Sequence, residues 1–133
     1  MKVTILGCGL IGGKRADALP KSDALVAVYD PNEARAQALA KKSGARVAAS
    51  VDDAIAAADV VVVATTNDQL TPLSLRAVDA GKHVVVEKPG ARNAKELRPL
   101  AERAKAKGRI VKVGFNHRFH PAAQKARELL DSG

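Results

Sequence analysis

Glycines near the N-terminus have the spacing of a phosphate-binding loop. Residues 7–12 (GCGLIG) fit the pattern G-x-G-x-x-G and directly follow the apolar, β-branched run Lys2–Leu6. Between a strand and a helix, Gly7 would permit the tight turn, Gly9 would let the backbone approach a pyrophosphate, and Gly12 would let the helix pack closely. The positive end of the helix dipole and its free N–H groups would then face the phosphates.

An acidic residue stands where a dinucleotide site requires one. A carboxylate is expected about 20 residues beyond the loop, at the tip of the second strand, and Asp30 follows the apolar run Ala24–Tyr29. It would accept hydrogen bonds from the ribose hydroxyls of NAD and repel the 2′-phosphate of NADP, unless it only caps a turn. We therefore predict NAD in preference to NADP, although Arg35 in the following helix could either approach a 2′-phosphate or face solvent.

Three further segments carry polar side chains directly after predicted strands, the part of an open α/β sheet that binds ligands. Residues 65–68 (TTND) offer small hydroxyl and amide groups that either bond a ribose or carboxamide or cap the next helix. In residues 87–89 (EKP), a lysine beside a glutamate can donate to a substrate hydroxyl and move a proton, or form a surface ion pair. Residues 116–118 (NHR) follow the last strand.

Metal and thiol chemistry are not favoured. His117 and His120 are three residues apart, but no further ligand cluster accompanies them, so we predict no metal site. The single cysteine, Cys8, is predicted to be a small packing residue, because no second cysteine could resolve an oxidised form. A lone cysteine excludes an internal disulfide framework and fits a cytoplasmic location.

The elements that must position these residues alternate between strands and helices. Apolar runs predict strands at 2–6, 24–29, 46–48, 59–64, 83–87 and 110–113. Helical spacing and capping residues predict helices at 10–19, 32–42, 71–80, 94–107 and 121–130, and a short helix capped by Ser50. The VVVV of the fourth strand is apolar on both faces, which is typical of a parallel sheet covered on both sides. The pattern predicts an α/β Rossmann fold with a doubly wound, six-stranded parallel sheet.

Composition limits the classes of partner. The 133 residues include 22 Lys and Arg against 14 Asp and Glu, a net charge of +8, and they suffice for one domain covering 1–133. The basic residues are scattered, and Tyr29, Phe115 and Phe119 are the only aromatic residues able to stack on bases, which disfavours nucleic acid. Attraction of a phosphorylated or otherwise anionic small molecule is the remaining interpretation. No apolar run reaches the roughly 20 residues that would span a membrane.

Three motifs together resemble the Gfo/Idh/MocA oxidoreductases: the glycine loop, AGKHVVVEKPGA at 80–91 and VGFNHRFHPA at 113–122. The resemblance covers the whole chain, as the nucleotide-binding half of the family's members. It implies a nicotinamide-dependent reaction at a carbon of a sugar, cyclitol, sugar nucleotide or related polyol. Members continue into a C-terminal α/β domain that covers the substrate, supplies an Asp/His acid–base pair and mediates oligomerisation. We expect that domain to be absent here, with residues 115–133 leading towards it.

The resemblance also implies the residues of the site. Cofactor contacts are implied for Gly7, Gly9, Leu10, Ile11, Gly12, Asp30, Thr65, Thr66, Asn67, Glu87, Lys88 and Asn116. Substrate contacts are implied for Lys88, Asn116 and His117, and Lys88 is the implied catalytic residue, which would meet the substrate hydroxyl and aid proton transfer. Leu70 stands where members often carry a histidine near the nicotinamide.

These patterns predict the NAD-binding half of a carbohydrate or sugar-nucleotide dehydrogenase, with little turnover by the chain alone. Hydride transfer needs its two carbons about 3–3.5 Å apart in a site that excludes water, and one open domain cannot easily close over a sugar. The alternative is a stand-alone NAD(H)-sensing module that docks on a partner protein, which would have no need of Lys88. A DNA-binding redox repressor is disfavoured because no helix-turn-helix segment accompanies the fold.

Overall fold

A six-stranded parallel sheet forms the centre of the molecule. The computed structural model describes all residues from Met1 to Gly133. The strands are β1 (Lys2–Leu6), β2 (Ala24–Tyr29), β3 (Arg46–Val47), β4 (Val60–Val63), β5 (His83–Val86) and β6 (Val111–Val113). Their spatial order is β3-β2-β1-β4-β5-β6, and every neighbouring pair is parallel. The predicted Rossmann sheet is confirmed.

Helices connect successive strands. They are α1 (Leu10–Asp17), α2 (Glu33–Ser43), α3 (Val51–Ala56), α4 (Asn67–Asp79), α5 (Ala94–Ala106) and α6 (Pro121–Ser132), and a 3₁₀ turn spans His117–Phe119. None of the helices is both long and apolar enough to cross a membrane.

Local side-chain chemistry explains where two of the helices begin. The side chain of Asn32 accepts a hydrogen bond from the backbone N–H of Arg35, and that of Ser50 accepts one from the N–H of Asp53. Both residues are the predicted caps, and each satisfies a donor that the first helical turn leaves without a partner. Gly44, with φ of +75°, ends α2 in the left-handed conformation that favours glycine, also as predicted.

Two helix boundaries differ from the prediction because of prolines. Helix α1 ends at Asp17, two residues before the predicted Leu19, since a residue that precedes a proline such as Pro20 disfavours helical backbone. Helix α4 begins at Asn67 and includes Pro72 in its interior, whereas the sequence predicted a start at residue 71. Pro72 is the sixth residue of α4 and removes one backbone hydrogen bond, and the buried packing of Leu70, Thr71 and Leu73 around it compensates for that loss.

The sheet is buried on both faces. Val61 and Val63 belong to a cluster of 15 buried apolar residues that includes Leu70 and Leu100. Val62, between them in β4, belongs to a second cluster of 8 on the other face. Alternate residues of β4 therefore support opposite layers, which accounts for its continuous run of valines.

Glycines allow α1 to pack directly on the end of β1. A Cβ atom added at Gly12 would lie 1.9 Å from the carbonyl oxygen of Gly7. Gly7 itself has φ of +95°, and a Cβ there would lie 2.4 Å from the carbonyl oxygen of Ala64. The backbones of α1, of the residue after β1 and of the residue after β4 thus approach one another more closely than side chains at Gly7 and Gly12 would permit.

Substitutions at Gly12 and at its neighbour Gly13 should distinguish the effect of close packing on stability from that of helix propensity. We expect Gly12→Ala to lower the free energy of unfolding by about 1–3 kcal/mol, because the Gly7 carbonyl must move. Gly13→Ala is the matched control, since a Cβ there has no atom within 4 Å. It should raise the free energy of unfolding by about 0.5–1 kcal/mol through helix propensity. Urea denaturation would measure both, and equal effects of the two substitutions would contradict the packing argument.

Candidate functional site

Two clefts open at the carboxyl ends of the strands and meet at Ile11, which lines both. The first cleft, of about 560 Å³, is lined by the glycine loop, the tips of β2 and β4 and one face of α4. The second cleft, of about 700 Å³, is lined by α1, the residues after β5 and the residues after β6. The parallel topology produces this convergence, because all strands end at the same edge.

The glycine loop presents free backbone donors at the first cleft. The N–H groups of Leu10, Ile11 and Gly12 have no acceptor within the protein, and the N-cap residue Gly9 has no side chain to supply one. Leu10 and Ile11 line the cleft, whereas Gly12 is buried behind them and lines neither cleft. A Cβ added at Gly9 would meet nothing within 4 Å, so the backbone is open on that side. Unpaired donors at a helix N-terminus bind anions, and this arrangement fits the pyrophosphate of a dinucleotide.

Asp30 connects the glycine loop to the tip of β2. Its Oδ2 accepts a hydrogen bond from the N–H of Cys8 at 2.8 Å, and its Oδ1 accepts one from the N–H of Asn32 at 2.8 Å. A carboxylate can accept about four hydrogen bonds, so both oxygens keep capacity for the hydroxyls of a ribose. Asp30 lines the first cleft and therefore combines the structural role with the predicted binding position.

The segment after β4 contributes two of its three predicted residues. Thr65 and Thr66 line the first cleft, whereas Asn67 lines neither cleft and forms the first residue of α4. Thr66 occupies the N-cap position without making a side-chain capping bond. The Oγ1 of Thr65 is buried and has no hydrogen-bond partner in the protein. The hydroxyl of Thr4, inside β1, is unpaired in the same way, so it is the place of Thr65 at the edge of the first cleft that makes it a candidate cofactor contact.

Several residues of the first cleft were not predicted. Gln69, Leu73 and Arg76 lie on one face of α4, and Arg76 forms an ion pair at 2.6 Å with Asp52. Their spacing of four and three residues was the signal that could have identified them. Arg35, which the sequence left open, also lines this cleft and forms no ion pair with an acidic residue.

The second cleft brings together the predicted residues Glu87, Lys88, Asn116 and His117. Lys88 is exposed and forms no ion pair. The surface ion pair that the sequence left open as an alternative role for this lysine is therefore absent. Its Nζ is free to meet a ligand. The Lys88–Pro89 peptide bond is cis.

Glu87 is paired with a residue that the sequence did not identify. The Nε of Arg15, from α1, donates to the Oε1 of Glu87, and the two side chains are only 27% and 10% exposed. A Cβ added at Gly114 would lie 3.1 Å from an Arg15 nitrogen and 3.4 Å from a Glu87 oxygen, so Gly114 packs closely against the pair. The pair therefore joins α1 to the ends of β5 and β6.

Three other residues take structural positions. Leu70 is fully buried in the larger core cluster and therefore does not replace the family histidine as a nicotinamide contact. Burial, with a smaller contribution from the charge of Asp30, raises the pKa of the Cys8 thiol to about 12, which confirms Cys8 as a packing residue. His120 accepts a hydrogen bond through Nδ1 from the N–H of Ala122 at 3.3 Å and so caps α6.

The Arg15–Glu87 pair should contribute more to stability than an exposed pair. Arg15→Met leaves a nearly buried carboxylate without its partner, and we expect it to lower the free energy of unfolding by about 2–3 kcal/mol. Arg103→Met is the control, because Arg103 and Asp79 are 50% and 45% exposed, and its cost should stay below about 1 kcal/mol. Equal costs in urea denaturation would mean that burial of Glu87 has no energetic consequence.

Residues 1–115 match the Gfo/Idh/MocA model, which is described as an oxidoreductase family with an NAD-binding Rossmann fold. Inositol 2-dehydrogenase 2 of Saccharopolyspora erythraea is 36% identical over 142 residues, an alignment that covers 100% of this chain and 41% of the relative.

Two solved structures are also similar to the chain. A UDP-N-acetylglucosamine 3-dehydrogenase from Acidithiobacillus ferrooxidans superposes with a TM-score of 0.91 and 29% identity, over 97% of this chain and 43% of that protein. GenD2 from gentamicin A biosynthesis, in complex with NAD, superposes with a TM-score of 0.93 and 33% identity, over 97% and 38%. The chain thus spans about two fifths of the length of the relatives that it matches.

Proposed function

The chain belongs to the Gfo/Idh/MocA oxidoreductase family, and we propose that it is the NAD-binding half of a dehydrogenase acting on a carbohydrate or sugar nucleotide. The observation that carries the proposal is the meeting of the two clefts at Ile11. One cleft has the donors and the carboxylate that a dinucleotide needs, and the other holds a free lysine. A cofactor and a hydroxyl substrate bound in the two clefts would therefore be neighbours.

Three sets of groups would hold the cofactor. The free N–H groups of Leu10, Ile11 and Gly12 would bind the pyrophosphate, and Asp30 would accept from the adenosine ribose. The unpaired hydroxyl of Thr65 would serve the nicotinamide half. When bound, NAD supplies the ring carbon that exchanges a hydride with the substrate.

We propose NAD in preference to NADP on electrostatic grounds. The carboxylate of Asp30 lies in the first cleft, where it favours ribose hydroxyls and disfavours a 2′-phosphate. Arg35 lines the same cleft and would offset part of that repulsion. The preference is therefore expected to be moderate.

Lys88 is the proposed catalytic residue. It follows β5 at the edge of the second cleft, and its Nζ has no internal partner. It would donate a hydrogen bond to the substrate oxygen and stabilise the negative charge that develops there as the hydroxyl proton leaves and the hydride passes to the cofactor. Asn116 and His117 would border the same substrate, and Glu87 would keep the strand end in place through Arg15.

Turnover is proposed to need a second domain over the clefts. Both clefts are open to solvent on one side, and hydride transfer needs a site that excludes water. We propose that residues 115–133 lead from the cofactor domain towards that cover. Contacts that select a particular sugar would then be divided between the two domains.

Cofactor titration tests the first half of the proposal. Following nicotinamide fluorescence, we expect saturable binding of NADH that is tighter than that of NADPH. Asp30→Ala should weaken NADH binding by about 10–100-fold, because it removes hydrogen bonds to a charged group. It should also reduce the ratio of NADH to NADPH affinity, which a general loosening of the loop would not change.

Asp17→Ala is the control, because Asp17 lines neither cleft. Tighter binding of NADPH by the unmodified chain would overturn the assignment of Asp30, and absence of binding would overturn the cofactor role of the chain.

The substitution Lys88→Met tests the catalytic role proposed for this lysine. We expect the chain to bind NADH but to oxidise inositol, glucose and UDP-N-acetylglucosamine at rates near background. Any rate observed should disappear in Lys88→Met, with NADH affinity unchanged within about twofold, since Lys88 would act on substrate. Retention of that rate in Lys88→Met would overturn the catalytic assignment of Lys88, whereas NADH binding with no oxidation of any substrate, even when a second domain is present, would favour a stand-alone NAD(H)-sensing module.

A further inference from the structure

The second cleft is rich in cations that have no partner. Its charged residues are Lys14, Arg15, Lys88, Arg118 and the single carboxylate Glu87. Arg15 pairs with Glu87, and the other three cations form no ion pair anywhere in the chain. Like charges gathered in one concave site raise the local potential and attract an anion.

The cofactor does not account for these cations. Lys14, Lys88 and Arg118 line the second cleft and are absent from the lining of the first, which has its own phosphate-binding N–H groups. The proposed catalytic role accounts for Lys88 alone. Lys14 and Arg118 therefore have neither an internal partner nor a function assigned so far.

These two cations come from different walls of the cleft. Lys14 is exposed on α1, two residues beyond the glycine loop, and Arg118 is exposed on the 3₁₀ turn after β6. The guanidinium of Arg118 lies 4.8 Å from the centre of the Phe119 ring, a contact that restricts its orientation. Phe115 provides an exposed apolar surface in the same cleft. The cleft thus combines an apolar wall with two positive walls.

We propose that the substrate of this cleft is a carbohydrate bearing an anionic group, a phosphate or a carboxylate, which Lys14 and Arg118 bind while Lys88 meets the hydroxyl to be oxidised. The proposal rests on the function proposed above and specifies the class of substrate. A neutral cyclitol or sugar would offer the two cations only hydroxyl acceptors and would leave their charges uncompensated. An anionic substrate would gain two charge-assisted contacts at the end away from the reacting hydroxyl.

NMR titrations of the chain saturated with NADH would test this. The probes are D-glucose, D-glucose 6-phosphate and D-glucuronate, which share a ring and differ in the anionic group. The backbone amides of Gly114 and Asn116 report on the cleft. We expect both anionic sugars to bind about tenfold more tightly than glucose, with an advantage that declines between low and moderate salt. A gain with only one of them would identify phosphate or carboxylate as the recognised group.

Substitutions at Lys14 and Arg118 test whether these two side chains bind the anionic group. Lys14→Gln and Arg118→Gln should each weaken binding of the anionic sugars about two- to fivefold and leave glucose unaffected, as expected for exposed charge pairs. Lys41→Gln is the control, because Lys41 is exposed on α2 and lines neither cleft. A loss in Lys41→Gln equal to that in the two cleft variants would overturn the proposal, since net charge alone would explain it.

The same samples distinguish two kinds of failure. If NADH binds while glucose and its anionic counterparts bind equally, or none of them binds, the anionic-substrate proposal fails and the cofactor role stands. If NADH does not saturate the chain, the proposed function itself fails. Saturation with NADH also excludes binding of the probes at the glycine loop, so a shift at Gly114 reports on the second cleft.

Discussion

The close contact between the backbones of Gly7 and Gly12 is the constraint on which the site depends. With only 1.9 Å between the Gly7 oxygen and the position of a Cβ at Gly12, helix α1 can rest on the end of β1 only because Gly12 lacks a side chain. That contact aims the free N–H groups of α1 at the point where β1 lies between β2 and β4. The chain reverses its winding direction there, and the first cleft follows from it.

The two clefts present polar groups of different kinds. The first is lined by backbone donors and the carboxylate of Asp30, whose positions are determined by the fold. The second is lined by the side chains of Lys14, Lys88 and Arg118, which are exposed and adjustable. Such a division suits a family whose members share a cofactor and differ in substrate, because side chains can change without disturbing the loop.

Much of this could be predicted because the determining interactions are local. The periodicity of apolar residues, the helix caps and the glycine spacing identified the six strands and the glycine loop. The same pattern placed Asp30, Thr65 and Lys88 at the carboxyl edge of the sheet. The start of α4 was predicted wrongly, since tertiary packing overcame the local effect of Pro72. Asn67 was predicted to contact the cofactor, but it lies at the start of that helix, outside both clefts.

Interactions between distant segments were beyond the reach of the sequence. The pairing of Arg15 with Glu87 joins residues far apart in the chain, and no local pattern indicates which cation faces which carboxylate. The convergence of Lys14 and Arg118 likewise arises only when α1 and the segment after β6 are brought together. Their individual charges were visible in the sequence, but their common location requires the three-dimensional structure.

The arrangement of Arg15, Glu87 and Gly114 also constrains how the protein can evolve. Loss of either charge leaves the other uncompensated, and a side chain at Gly114 would crowd both. The effects of substitutions at the three positions are therefore coupled. Because they belong to three different segments, the helix that carries the glycine loop and the strands that border the substrate cannot diverge independently. Swapping either segment between relatives would require the matching residues to be transferred with it.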